Sequence, residues 1–107
     1  IVVCKPEDSM KWYDQMWKYS VELFRSLDIP VRQLECCSGD LADLKVKSCD
    51  IEAWSPRQQK SSNTPVLAPP RMLIALLENN LQADGSVRVP MALRPYVGGM
   101  EILVPKH

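Results

Sequence analysis

Apolar positions fall into two helical periods and several short alternating runs. Across "SMKWYDQMWKYSVELFRSL", Tyr13, Met16, Trp17, Ser20, Val21, Phe24 and Leu27 recur at steps of three and four. That spacing predicts a helix of about five turns with one broad apolar face. Trp12, Tyr19 and Leu23 widen the face, so burial on more than one side is expected. Pro6 suits the first position of a helix, and Glu7 and Asp8 place negative charge where the helix dipole is positive. Ahead of them, the β-branched run "IVVC" predicts the end or edge of a strand. Pro30 cannot continue the helix and pushes Ile29 toward an extended conformation.

"VRQLECC" alternates apolar and polar residues and predicts a strand, with Val31, Leu34 and Cys36 or Cys37 competing for its inner face. "SGDLADLKVKS" opens as a turn and continues as a short helix or loop. "CDIEAW" alternates again, Cys49, Ile51 and Ala53 against Asp50, Glu52 and Trp54, so an antiparallel pair with the preceding strand is expected. "SPRQQKSSNTP", residues 55 to 65, has almost no apolar anchor and reads as an exposed loop or linker. The second helical period covers "PPRMLIALLENN", residues 69 to about 80. Gly85 then pivots a turn, "VRVP" is a short strand that Pro90 ends, "ALRPYVGG" is turn-rich, and "EILVP" is a last apolar stretch.

At 107 residues the chain fits one domain, 1–107, with the polar linker at about 55–65 inside it. Its 46% hydrophobic fraction is enough for a core and argues against disorder. Thirteen basic and thirteen acidic side chains cancel, which argues against a broad polyanion-binding face. No run of about 18 apolar residues predicts a membrane span, and "IVVCKPEDS" turns acidic too soon for a signal peptide. The four cysteines form no CxxC pair and His107 is the one histidine, so no metal site is expected. The cysteines are read as reduced, in a cytoplasmic compartment.

Two features carry candidate chemistry. Asp50 and Glu52, two apart on a strand, face one side. They are either a site for Mg²⁺ or a substrate amine, or the solvated face of a half-buried strand, and the second reading is favoured. Arg71 is a cation in the first turn of an apolar helix, where the dipole disfavours it by a few tenths to about 1 kcal/mol. Exposed amides at a helix N-terminus together with a guanidinium make a phosphate site, and a surface salt bridge is the alternative.

The order of "KPEDSMKWYDQM", "SLDIPVRQLECCSGDL", "KSCDIEAWSP" and "APPRMLIALLENNLQADGSVRVPMALRPYVGG" resembles the C-terminal part of the seryl-tRNA synthetases, class II aminoacyl-tRNA synthetases. The resemblance runs through nearly the whole chain. It implies an α+β fold, an antiparallel sheet flanked by helices. It makes the proline-arginine-helix segment motif three of that class, with Arg71 contacting the phosphates of ATP. Asn63 is matched to the asparagine ahead of motif three that helps bind serine. ATP and Mg²⁺ are the cofactors it implies.

The departures are as specific. Motifs one and two, which family members carry ahead of this point, have no counterpart. With them go a second ATP-binding arginine and the carboxylate that holds the serine amino group. Several tens of residues that the family places between "DIEAW" and motif three are also missing, since Lys60 runs straight into "SSNTP". Pro65 falls where the family usually has a threonine or serine. Without the coiled-coil arm that grips tRNA, tRNA is not an expected partner. The expectation is a truncated, internally deleted derivative, engineered or natural, with lost or strongly reduced activity. The rival is a non-catalytic scaffold or self-associating module, a homodimer formed through the Trp12, Trp17 and Tyr19 helix.

Overall fold

The structure is a computed structural model. It describes residues 1–63 and 69–106, apart from the side chains of Ser62, Asn63 and Pro69. Pro6–Asp8 form one 3-10 turn that feeds directly into α1, Ser9–Ser26. Helix α1 ends on a motif normally built around glycine. Asp28 adopts the left-handed conformation, φ 57°, and the Ile29 N–H donates to the Phe24 carbonyl at 3.0 Å while the Asp28 N–H donates to Arg25 at 3.0 Å. Those two bonds satisfy carbonyls that the end of a helix leaves free, and they fold Ile29 back onto Phe24. Both side chains are fully buried, so the helix end and the core are fixed together.

Strand β1, Val31–Glu35, pairs antiparallel with β2, Cys49–Ser55, from Val31 opposite Ala53 to Glu35 opposite Cys49. The alternation in the sequence predicts this pair. It does not predict β3, Lys60–Asn63, which returns along β2 with Ser55 opposite Lys60 and Glu52 opposite Asn63. The stretch read as a loop from 55 to 65 is therefore a hairpin in its described part, turning over 56–59 with Gln59 at φ 50°. Residues 64–68, including Pro65, lie outside the described residues. The strand expected at "IVVC" does not form either. Residues 1–5 pair with nothing and are exposed, because β-branched composition makes a strand only where a neighbour supplies the ladder. Strand β1 stops at Glu35, so neither Cys36 nor Cys37 is a strand residue. Both are free thiols, Cys36 half-buried and Cys37 exposed.

Helix α2, Pro69–Asn80, and the end of α1 cover one face of this sheet. The core there joins Phe24, Leu27, Ile29, Ala53 and Ala75, with Val31, Ile51, Met72, Leu76 and Leu93 packed around it. The opposite face carries Arg32, Leu34, Asp50, Glu52 and Trp54, with Leu34 and Trp54 exposed. The α+β architecture, an antiparallel sheet flanked by helices, is thus the expected one.

Beyond α2 the chain makes a small second sheet. Strand β4, Val87–Arg88, pairs with β5, Ile102–Leu103. In the turn before it, Gly85 takes φ 82°, and Ser86 donates its N–H and its hydroxyl to Asp84 Oδ1 at 3.0 and 2.6 Å. The hydroxyl of Ser86, and after it the backbone, hold the Asp84 carboxyl below its ordinary pKa. Among the described residues, no helix is long and apolar enough to cross a membrane.

Candidate nucleotide site

Arg71 is the third residue of α2, and its side chain is exposed. Among the described residues it takes part in no salt bridge, which removes the surface ion pair as the reason for a cation at this helix end. The backbone around it is less generous than the position suggests. A helix N-terminus offers about four free N–H donors. Here Pro69 and Pro70 occupy the first two helical positions, and neither has an N–H. The group at this end suited to phosphate oxygens is therefore mainly the Arg71 guanidinium, a planar donor.

The orientation of α2, and so of Arg71, is set at the far end of the helix. Asn79 Nδ2 donates to the Trp54 carbonyl at 2.8 Å and to the Ala75 carbonyl at 2.9 Å. Glu78 accepts a hydrogen bond from the hydroxyl of buried Ser55. Buried Asn80 donates to the Leu76 carbonyl at 2.9 Å and accepts from Arg88, which also pairs with Asp28 at 3.2 Å. These contacts join α2 to β2 on one side and to the end of α1 on the other.

Asn63 ends β3 at the position opposite Glu52; its side chain lies outside the described residues. On β1 the position opposite Glu52 is Arg32, whose Nε donates to Glu52 Oε2 at 2.7 Å. The sheet thus brings Arg32, Glu52 and Asn63 into one row across three strands. Asp50 and Glu52 are half-buried rather than fully solvated, and Glu52 is already engaged by Arg32. Among the described residues, no group of three histidine, cysteine or acidic side chains could hold a metal ion. Sequence reasoning missed Arg32 and Asn79. The alternation of "VRQLE" against "CDIEAW" contains the signal for Arg32 once the register is known. Asn79 is marked only by being polar near the end of an apolar helix.

A groove of about 320 Å³ opens between Leu27, Met72, Leu73, Leu76 and Leu93. Its walls are apolar and Arg71 is not among them, so it is not the place for a triphosphate.

No protein-family model matches the chain. Curated relatives do. The serine–tRNA ligase of Deinococcus radiodurans is 34% identical over 137 positions, covering 95% of this chain and 32% of the relative. Those of Streptomyces coelicolor and Pyrococcus furiosus are 33% and 31% identical, over 94% and 95% of this chain and 31% and 30% of theirs. Since 95% of 107 residues is about 102, about 35 of the 137 aligned positions have no residue of this chain opposite them. Among solved structures, seryl-tRNA synthetase from Pyrococcus horikoshii complexed with ATP superposes with a TM-score of 0.88 at 30% identity, covering 97% of this chain and 31% of that one. The cytoplasmic enzyme of Naegleria fowleri in complex with AMP superposes at 0.80 with 24% identity, a likeness of fold, over 96% of this chain and 28% of that one. The chain spans about a third of the length of the curated relatives it matches. By sequence and by fold the chain is similar to the seryl-tRNA synthetases over about one third of their length.

Proposed function

We propose that the chain keeps the motif-three half of a serine-activation site and has lost most or all of the activation itself. The observation that carries this is Arg71: an exposed guanidinium, unpaired among the described residues, on a helix of the fold shared with an ATP-complexed synthetase. Arg71 binds the terminal phosphates of ATP, and Asn63 touches serine. ATP, when bound, supplies the phosphate that serine would attack. The described residues do not fit a protein-held Mg²⁺, so the ion enters with the nucleotide phosphates. A charge-assisted contact from one arginine contributes about 1.5–3 kcal/mol, a substantial part of the roughly 4 kcal/mol that a millimolar Kd represents. Orientation of both substrates and charge stabilisation at the reacting phosphate need more groups than this. Arg71 and Asn63 supply only part of each.

The second reading is a non-catalytic folded module, favoured by the β2–β3 hairpin. The turn at 56–59 joins β2 to β3 and completes the three-stranded sheet, so the fold does not depend on a working site. Free cysteines support a reducing compartment, which we take to be the cytoplasm. Calorimetric titration with ATP and Mg²⁺ separates the readings. The first predicts weak binding, about millimolar, that Arg71→Ala abolishes; no binding, or binding unchanged in Arg71→Ala, leaves the second.

A further inference from the structure

Helix α1 carries two buried polar atoms without a hydrogen-bond partner among the described residues, the Tyr13 hydroxyl and Trp17 Nε1. They belong to residues one turn apart on the core-facing stripe, where Trp17, expected on the outer surface of the helix, is half-buried. Buried polar atoms are rarely left unpaired, because each has given up water without a replacement.

The neighbours of Tyr13 show which replacement fits. The Cys49 thiol, half-buried, lies beside the hydroxyl. Cys49 opens β2 opposite Glu35, the last residue of β1, so the two side chains share one face of the sheet. The Lys47 ammonium pairs with Glu35 at 3.3 Å and stands 5.1 Å from the centre of the Tyr13 ring. A nucleophile, an unpaired hydroxyl, a cation and a carboxylate thus meet where α1 packs over the end of β1 and the start of β2. A thiol sulfur is a weak hydrogen-bond acceptor and satisfies the hydroxyl poorly. An oxygen added to that sulfur accepts from Tyr13, and its own hydrogen is offered to Glu35.

We propose that Cys49 is a modification site, oxidised by hydroperoxides to a sulfenic acid that Tyr13 holds. The sulfur attacks one peroxide oxygen: the S–O bond forms, the O–O bond breaks, and two electrons pass from sulfur to the peroxide. The thiol proton ends on the departing oxygen, so hydrogen peroxide yields one sulfenic acid and one water. The Lys47 ammonium offsets the negative charge that develops on that departing oxygen. Hydrogen peroxide is little larger than water and reaches a half-buried thiol. Cys36, the nearest cysteine in the strand pairing, does not resolve the product. Its N–H bonds the Ser48 carbonyl at 3.0 Å, which continues the register by one step and sets Cys36 and Cys49 on opposite faces. Oxidation therefore fastens α1 to β2 by a hydrogen bond that the reduced chain lacks. The site stands independently of nucleotide binding at Arg71.

Brief treatment of the intact chain with hydrogen peroxide, then with the sulfenic-acid reagent dimedone, and peptide mapping test this. Cys49 should carry several-fold more label than exposed Cys4 and Cys37. Tyr13→Phe should lower that label several-fold. Without dimedone, the oxidised wild type should unfold at a higher urea midpoint than the reduced one, and Tyr13→Phe should show no such gain. Lys47→Gln, a change at an exposed side chain, should also slow labelling several-fold, and it decides the matter if Tyr13→Phe unfolds. Label spread evenly over the cysteines, label at Cys49 indifferent to these variants, or Cys49 recovered in a disulfide overturns the proposal.

Discussion

A single side-chain amide, Asn79 Nδ2, bridges the Trp54 carbonyl of β2 at 2.8 Å and the Ala75 carbonyl of its own helix at 2.9 Å. It ties the helix carrying Arg71 to the sheet. Asn79→Ala leaves the strand carbonyl without this donor, and the expected cost is about 1–2 kcal/mol in urea unfolding. The ATP affinity proposed for Arg71 should fall along with it, although Asn79 touches no substrate. A variant as stable as wild type would show that the bridge contributes nothing.

The left-handed turn at Asp28 costs energy in any residue with a side chain. Its pairing with Arg88 is half-exposed on both sides and offsets little. Asp28→Gly should therefore stabilise the fold by a few tenths to about 1 kcal/mol, and Asp28→Val should destabilise it by at least about 1 kcal/mol. Thermal melting of the pair of variants decides this, and equal melting temperatures would contradict it.

Across the sheet, Arg32 is 64% exposed but its partner Glu52 only 13%. The pair itself is worth little, since the exposed arginine is screened by water. The half-buried carboxylate left behind is what costs energy. Arg32→Ala should destabilise by about 1 kcal/mol, and adding Glu52→Gln should recover part of that. Additive losses in the double variant would refute the coupling.

Tyr13 makes stability fall at alkaline pH. Burial first, then the neighbouring Cys49 and the Glu35 and Asp14 carboxylates, push its phenol pKa above the ordinary value. An acid raised in this way keeps its proton longer in the folded chain than in the unfolded one. Its contribution is full below about pH 10 and is lost as pH rises beyond that. The urea midpoint should drop across this range, and Tyr13→Phe should drop less. An equal drop in both would assign the loss to other groups.

How much of this was legible in the sequence depends on whether a feature is local. Helices α1 and α2 are, because their apolar positions repeat within a few residues and prolines mark their starts. The pairing of β1 with β2 follows from two alternating runs. Strand β3 is not legible, since "KSSN" has no apolar residue and becomes a strand only because β2 offers it a ladder. "IVVC" fails for the converse reason, having the composition without a neighbour. Arg71 stands out through its place in the helix and the family resemblance. Its amide surroundings are poorer than a helix start suggests, because the two prolines that open the helix also remove two donors. The contact of Arg32 with Glu52 joins residues twenty positions apart and needs the register of the sheet.

Serine-dependent exchange of pyrophosphate into ATP tests the central claim most directly. A chain that keeps a phosphate contact but too few groups to orient serine and stabilise the reacting phosphate should show exchange at background level, with or without serine. Exchange clearly above background that requires serine and disappears in Arg71→Ala would contradict the account and establish a working enzyme.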